Sequence, residues 1–185
     1  MQAIEALEKR RTIRSYDKEY VIPKDVLEKI VNLALDSPTG MDMQGIDLAV
    51  VTNRAKIDTI IGKALKYWPQ GMKDAFAARH NDLGVDNTVT CDASALILFV
   101  KNENAKDDYI KYDAGIKLMS IMTSAVNYGL GTCCLGCLGF GNLDEVAAEV
   151  EKPAGSVIIG IALGKPRADT KLNEKVRKCK AQYFE

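Results

Sequence analysis

"ALILFV", residues 95–100, is the stretch that decides the fold. Side chains of a strand alternate between the two faces of a sheet. A run with no polar member therefore needs cover on both faces, as in a sheet sandwiched between helices. Downstream, residues 107–128 read as a long helix with Ile110, Ala114, Leu118, Ile121, Met122 and Ala125 on one side. Gly129 suits the position just past its end. "NLDEVAAEV" at 142–150 reads as a short helix, with Asn142 and Glu145 spaced as a capping box. "SVIIGIALG" at 156–164 reads as another buried strand, and 165–185 as a polar, partly basic tail ending near Tyr183 and Phe184.

Upstream, residues 68–90 carry Pro69, Gly71 and Gly84 and give no clear period, so a mobile excursion is expected there. Residues 54–67 read as helix and "IDLAVVTN" at 46–53 as a buried strand. "PKDVLEKIVNLALD" at 23–36 is a strong helix, with Val26, Leu27, Ile30, Val31, Ala34 and Leu35 at helical spacing. Pro23 fits its first turn. Ser37 precedes a proline, which ends it. Residues 2–10 read as a short helix with Ile4 and Leu7 inward. Helices with at least three strands between them give an α+β or α/β layered domain.

The chain has 185 residues, enough for one domain with a real core. Apolar residues make up 47%, which excludes a disordered chain. Basic and acidic residues balance at 25 each, so the global basic excess of a nucleic-acid binder is missing. No segment has the roughly 18 to 20 apolar residues that span a bilayer, and the N-terminus has no apolar signal-peptide core. Five cysteines, three of them crowded at Cys133, Cys134 and Cys137, make a poor disulfide framework. Reduced thiols in a cytoplasmic protein are expected.

Two stretches stand out chemically. "EKRRTIRSYD" at 8–17 puts Arg10, Arg11 and Arg14 within five positions, with Thr12 among them. Such a cluster either pairs with Glu5 and Glu8 on a solvated helix end or binds a small anion. Guanidinium forks and a hydroxyl match phosphate oxygens. "YGLGTCCLGCLGFGN" at 128–142 holds five glycines. Cys134 stands where a Rossmann fingerprint needs glycine, and no Gly-Lys-Ser/Thr follows, so it is no P-loop. It is either a tight helix-to-strand turn or a place where backbone approaches a ligand.

Cys134 and Cys137 form a C-x-x-C, but zinc spacing is absent, so the cysteines read as small apolar filler. His80 reads as solvated or structural, and Trp68 with Tyr67 as core cover. No paired carboxylates or triad mark acid–base machinery.

The order of these features resembles the nitroreductase family of flavoproteins, over nearly the whole chain. "RRTIRSY" resembles that family's Arg-Arg-Ser-x-Arg-x-Phe signature. "DSPTGMDMQGIDLAVV" resembles its Ala-Pro-Ser-x-x-Asn-x-Gln-Pro-Trp segment, and "CDASALILFV" its Asp-Ala-Pro strand. "YDAGIKLMSIMTSAVNYGLGTCCLG" resembles its central helix and Gly-Leu-Gly-Thr-Cys-x-x-Gly turn, and "IIGIALGKP" its Ala-Leu-Gly-Tyr-Pro strand end.

The resemblance implies an α+β fold: an α-β-α sandwich with a mixed or antiparallel central sheet, in an intertwined homodimer with the flavin at the subunit interface. It implies FMN, with its phosphate and ribityl chain at Arg10, Arg11, Thr12 and Arg14, joined by Lys175 and Arg177 (or Lys178) from the tail. Pro38, Thr39, Gly40, Asp42 and Gln44 would reach the partner's flavin. Cys134, Leu135 and Gly136 would lie beside the ring, with the N–H of Leu135 or Gly136 donating to flavin N5. The tail would wrap the partner, and 68–90 would be a lid.

Two departures from the family pattern bear on the substrate. Asp42 replaces the usual Asn, and Gly45 and Ile46 replace Pro and Trp. The activity implied is ping-pong hydride transfer from NAD(P)H to nitroaromatics or quinones, with no catalytic side chain and no metal. A specialised reductase or dehalogenase, and a non-catalytic flavin sensor read out by the cysteines, are the alternatives.

Overall fold

A computed structural model describes residues 2–184. Met1 and Glu185, the latter ending the expected tail, lie outside the described residues.

The sheet has four antiparallel strands in the order β1-β2-β4-β3: β1 Ile46–Val51, β2 Ala95–Lys101, β3 Gly131–Cys134 and β4 Val157–Gly164. The apolar run of β2 does what its composition requires. Leu96, Leu98 and Val100 enter one core cluster, whereas Ala95, Ile97 and Phe99 enter another on the opposite face. The first cluster is closed by α3 Arg54–Lys66, α4 Gln70–Ala77 and α7 Leu143–Glu149, through Ile57, Ile60, Ile61, Phe76, Val146 and Ala147. The second is closed by α2 Lys24–Leu35 and α6 Asp107–Asn127, through Leu27, Ile30, Ile110, Ala114 and Ile121. The expected α-β-α sandwich is the observed one, and its sheet is antiparallel throughout.

Several expectations need correction. The glycine-rich turn contains β3, because Gly131 to Cys134 pair with Gly164 to Ile161 on β4. Residues 68–90 are largely helical: α4 is followed by α5 Arg79–Leu83, which stops at left-handed Gly84. Pro69 is the N-cap of α4, where its missing N–H costs nothing. In α1 Ala3–Lys9, Ala6 is the buried residue, whereas Ile4 and Leu7 face outward at 69% and 43% exposure.

The capping box is half-formed. Asn142 accepts from Asp144 N–H, while Glu145 turns away to Tyr67 and Lys66. Trp68 is buried, edge-on to Phe76, but Tyr67 is a surface residue. The end of α6 follows expectation. Gly129, at φ 67°, donates to Val126 O while Leu130 donates to Ala125 O, a Schellman stop.

Candidate functional site

Buried neighbours display the arginines. Ile13 N–H bonds Thr132 O on β3, and Tyr16 N–H bonds Cys91 O. Ile13 and Ser15 are inside, so Thr12 and Arg14 face outward on the alternate positions. The ion pairs among the described residues include none of Arg10, Arg11 and Arg14. Glu5 pairs with Lys9 instead, which removes the surface-pairing account of the cluster.

The three arginines then divide. Arg11 folds back onto the end of α1, donating to the carbonyls of Glu8, Lys9 and Arg10 and to Asn173 O. Those are helix-end carbonyls with no helical partner, so Arg11 caps the helix. Arg10 and Arg14 have no ion-pair partner among the described residues.

The tail supplies further cations. Lys175 Nζ donates to Leu7 O at 2.6 Å and Glu8 O at 2.8 Å, which places it beside Arg10 and Arg11. Desolvation, then the two guanidiniums, lower its pKa. Arg177 and Lys178 are exposed and make no hydrogen bond or ion pair among the described residues. Lys171, which sequence reasoning passed over, lines a polar cavity of about 350 Å³ with Thr12, Arg14, Ser15, Thr170 and Asn173, and the same cavity carries Asp82 and the Arg167–Asp169 ion pair. A second cavity of about 300 Å³ adjoins Arg10, Arg11, Thr132 and Gly131. A larger concavity of about 780 Å³ lies between α2 and edge strand β1, lined by Val21, Ile22, Leu27, Val31 and Val50, and shares no residue with either.

Two of the five glycines of the 128–142 stretch answer to chain packing, Gly129 answers to its positive φ, and Gly136 and Gly139 answer to neither. A Cβ on Gly131 would lie 2.3 Å from Ile13, and one on Gly141 2.3 Å from Ala64 O. At Gly136 a Cβ would meet nothing within 4 Å, and no positive φ demands glycine there. Gly136 therefore stands open to an outside group. The N–H of Leu135 already donates to Gly160 O at 2.7 Å. The Gly136 N–H faces the Cys134 sulfur and is the one of the two N–H groups that can reach outward.

The thiols here are weak nucleophiles. Burial, joined by neighbouring Cys133, pushes Cys91 and Cys137 up to about 11. Burial also raises Cys133, against the opposing pull of Arg14 and of Arg79 from α5. Cys134 is exposed, yet the wall beneath it still raises its pKa. Arg79, which no sequence signal marked, is thus delivered by the 68–90 excursion to the glycine-rich turn. Its guanidinium stacks 3.6 Å over Phe76. His80 is exposed, with Nδ1 at 2.9 Å from Val85 O.

The Pro38–Gln44 segment is built differently. Thr39 Oγ1 accepts from Gln44 N–H, and Gln44 Nε2 donates to Asp42 Oδ1, both at 3.0 Å. Met41, Asp42 and Gln44 all have positive φ, near 50°. Left-handed backbone without glycine costs about 1–3 kcal/mol per residue, so the surroundings must impose it. Two buried side chains of α6 do so. Asp113 Oδ1 accepts from Gly40 N–H at 2.9 Å, and Lys117 Nζ donates to Ala34 O and Leu35 O at 3.1 and 3.2 Å. Sequence reasoning missed both. The available signal was two charges, one turn apart, on the helix face that carries Ile110, Ala114 and Ile121.

The two groups of expected site residues do not meet within one chain. The 38–44 loop is tied to α6 at Asp113, whereas the arginines and β3 gather where α6 ends. The helix between Asp113 and Asn127 is about 20 Å long at ~1.5 Å per residue.

An antiparallel sheet covered by helices on both faces, with an arginine-lined cleft beside a glycine-rich strand, defines the class to which this chain belongs. The chain is a member of the nitroreductase family, whose sequence profile matches residues 7–165. A putative NADH dehydrogenase/NAD(P)H nitroreductase of Methanothermobacter thermautotrophicus is 28% identical over 137 residues, 74% of this chain. The chain spans 61% of that relative's length.

Solved structures share the fold end to end. An FMN-bound nitroreductase from Desulfitobacterium hafniense superimposes with a TM-score of 0.83 at 20% identity, covering 100% of both chains. One from Bacteroides fragilis, also with bound FMN, gives 0.80 at 21% identity and 100% of both chains. The FMN-dependent nitroreductase NfnB of Mycobacterium smegmatis, in complex with NADPH, gives 0.74 at 18% identity, covering 100% of this chain and 99% of that one.

Proposed function

We propose that this chain is an FMN-dependent NAD(P)H oxidoreductase acting on nitroaromatic or quinone-type acceptors. The observation that carries the reading is the cationic cleft in which Thr12, Arg14 and Lys171 line one cavity and Arg10 lines its neighbour, neither guanidinium being ion-paired among the described residues. That donor set fits a phosphate dianion, and each charge-assisted bond contributes roughly 1.5–3 kcal/mol. Arg10, Thr12, Arg14 and Lys171 hold the phosphate, with Lys175 adding positive potential from behind. Open Gly136 would admit the ring edge, and its N–H would be the donor available to N5. Bound FMN supplies the hydride and electron chemistry, in two half-reactions that share one open face.

The site is completed by a second copy of the chain. Because the loop and the cationic end lie at opposite ends of α6, a ring touching both needs two subunits. The outer face of α6 supports this. Tyr112, Ile116 and Met119 form an i, i+4, i+7 stripe at 73%, 42% and 37% exposure. Ile4 and Leu7 of α1 and the fully exposed Tyr183 and Phe184 of the tail are further apolar groups that await a partner. In the dimer Asp42, steadied by Gln44, would be the acceptor for the N3–H of the partner's flavin. The α4–α5 segment, bearing Arg79, covers the substrate side.

The sensor alternative, read out by Cys133, Cys134 and Cys137, is the less favoured reading, since burial raises all three thiols, Cys137 to about 11. The test is the visible spectrum of the purified protein under anaerobic NAD(P)H. A yellow protein that bleaches, then recovers on adding a quinone or nitroaromatic, is expected. A colourless protein that takes up no added FMN overturns the reading.

A further inference from the structure

We infer that Asp113 and Lys117 are positioning residues that set the 39–44 loop against the partner's flavin ring, an inference that rests on the function proposed above. Asp113 is 4% exposed and Lys117 1%. Burying charge is costly, and an apolar pair of similar volume usually serves a core at least as well. Charges retained in such a place do something that apolar groups cannot.

Their partners identify that task. The Asp113 carboxylate takes the N–H of Gly40, and the Lys117 ammonium takes the last carbonyls of α2, at Ala34 and Leu35. Together they clamp both ends of the segment that leads out of α2. Tyr109, one turn before Asp113, closes the clamp: a Cβ on Gly40 would lie 2.5 Å from its ring. Burial lowers the Lys117 pKa, and the neighbouring Asp113 and Asp36 carboxylates oppose that fall.

On the outer side of this clamp the loop presents Asp42 and Gln44, both exposed and both at positive φ. Local hydrogen bonds from Thr39 and Gln44 shape the loop, but its placement on the body of the chain comes from the contact of Gly40 with Asp113. The direction of the Asp42 carboxylate is therefore inherited from α6, and with it the charge felt by the ring.

A double-mutant cycle on the flavin's redox equilibrium tests this. In the FMN-loaded dimer, Asp42→Asn removes a negative charge from beside the ring. About a tenfold shift toward the reduced form is expected, near 30 mV for two electrons. In the Asp113→Asn background the same change is expected to shift it less than about threefold, because the loop no longer holds residue 42 in place. Lys117→Met provides an independent second background, and decides the matter if Asp113→Asn fails to fold. A full Asp42→Asn shift surviving in the folded backgrounds overturns the inference, since a merely structural role leaves the two sites additive. No shift from Asp42→Asn in the wild-type background overturns it as well. Wild-type protein without flavin overturns the functional reading itself, and is seen before any variant is made.

Discussion

The two ends of α6 satisfy their charges in opposite ways. At the N-terminal half, Asp113 and Lys117 are buried and bonded to backbone, and the loop they hold bonds internally through Thr39 and Gln44. At the C-terminal end, Arg10 and Arg14 make no ion pair among the described residues and line cavities of about 300 and 350 Å³. One end is complete in itself and shaped to be presented. The other is incomplete and shaped to receive. Residue types alone do not separate them, since both are rich in charge. What separates them is whether each charge already has its partner.

The sharpest way to break this comparison is to remove the charges of Arg10 and Arg14. Arg10→Ala with Arg14→Ala is expected to weaken FMN binding by about 10² to 10⁴-fold, from two lost bonds of roughly 1.5–3 kcal/mol each. Thermal stability should move by less than about 0.5 kcal/mol, as at any exposed site. Equal loss of binding and stability in titration and melting experiments would return the arginines to a structural role.

Glycine substitutions give a smaller contrast. Gly40→Ala drives a methyl into the Tyr109 ring, an overpacking worth about 1–3 kcal/mol in denaturant unfolding. Gly136→Ala meets no protein atom, so its unfolding curve should be unchanged while FMN affinity falls.

Beneath the cationic end, the Tyr16 hydroxyl is buried without a partner. Tyr16→Phe is expected to raise stability by about 1 kcal/mol, since an orphaned buried polar group costs roughly that much. The smallest effect is in alkali. The thiols of Cys91 and Cys137 are raised from 9.0 to about 11 in the folded chain. The unfolded chain loses these protons first as pH rises, so their contribution is intact below pH 9 and declines between 9 and about 11. Melting temperature measured across that range should fall, and less so in Cys91→Ala.

The sequence was legible where period or composition left one solution. The apolar run of β2 and the long α6 stripe specified a covered sheet, and both faces are indeed covered. β3 was not legible, because four residues between glycines carry too little pattern, and pairing with β4 decides them. The α4–α5 helices were hidden by Pro69 and Gly71, which act at a cap and on an open surface. Ile4 and Leu7 kept helical spacing but face outward, because a spacing says which residues share a face and not what covers it. Of the site, the arginine cluster was visible as local charge density. Lys171 was not, since the tail has no period to fix its register. Asp113 and Lys117 were hidden inside an otherwise ordinary amphipathic helix, and only the fold shows which backbone groups they meet.

The central claim, that the flavin site is assembled from opposite ends of two α6 helices, is tested most directly by subunit complementation. One chain carries Arg10→Ala and Arg14→Ala. The other carries Asp42→Ala and Gln44→Ala, and the two are co-expressed with different tags. Each alone should be inactive. Random mixing should restore about a quarter of the wild-type sites, because half the dimers are mixed and each has one intact site. Mixed dimers, isolated through both tags, that recover no activity would contradict the account and place both groups of residues in a single chain's site.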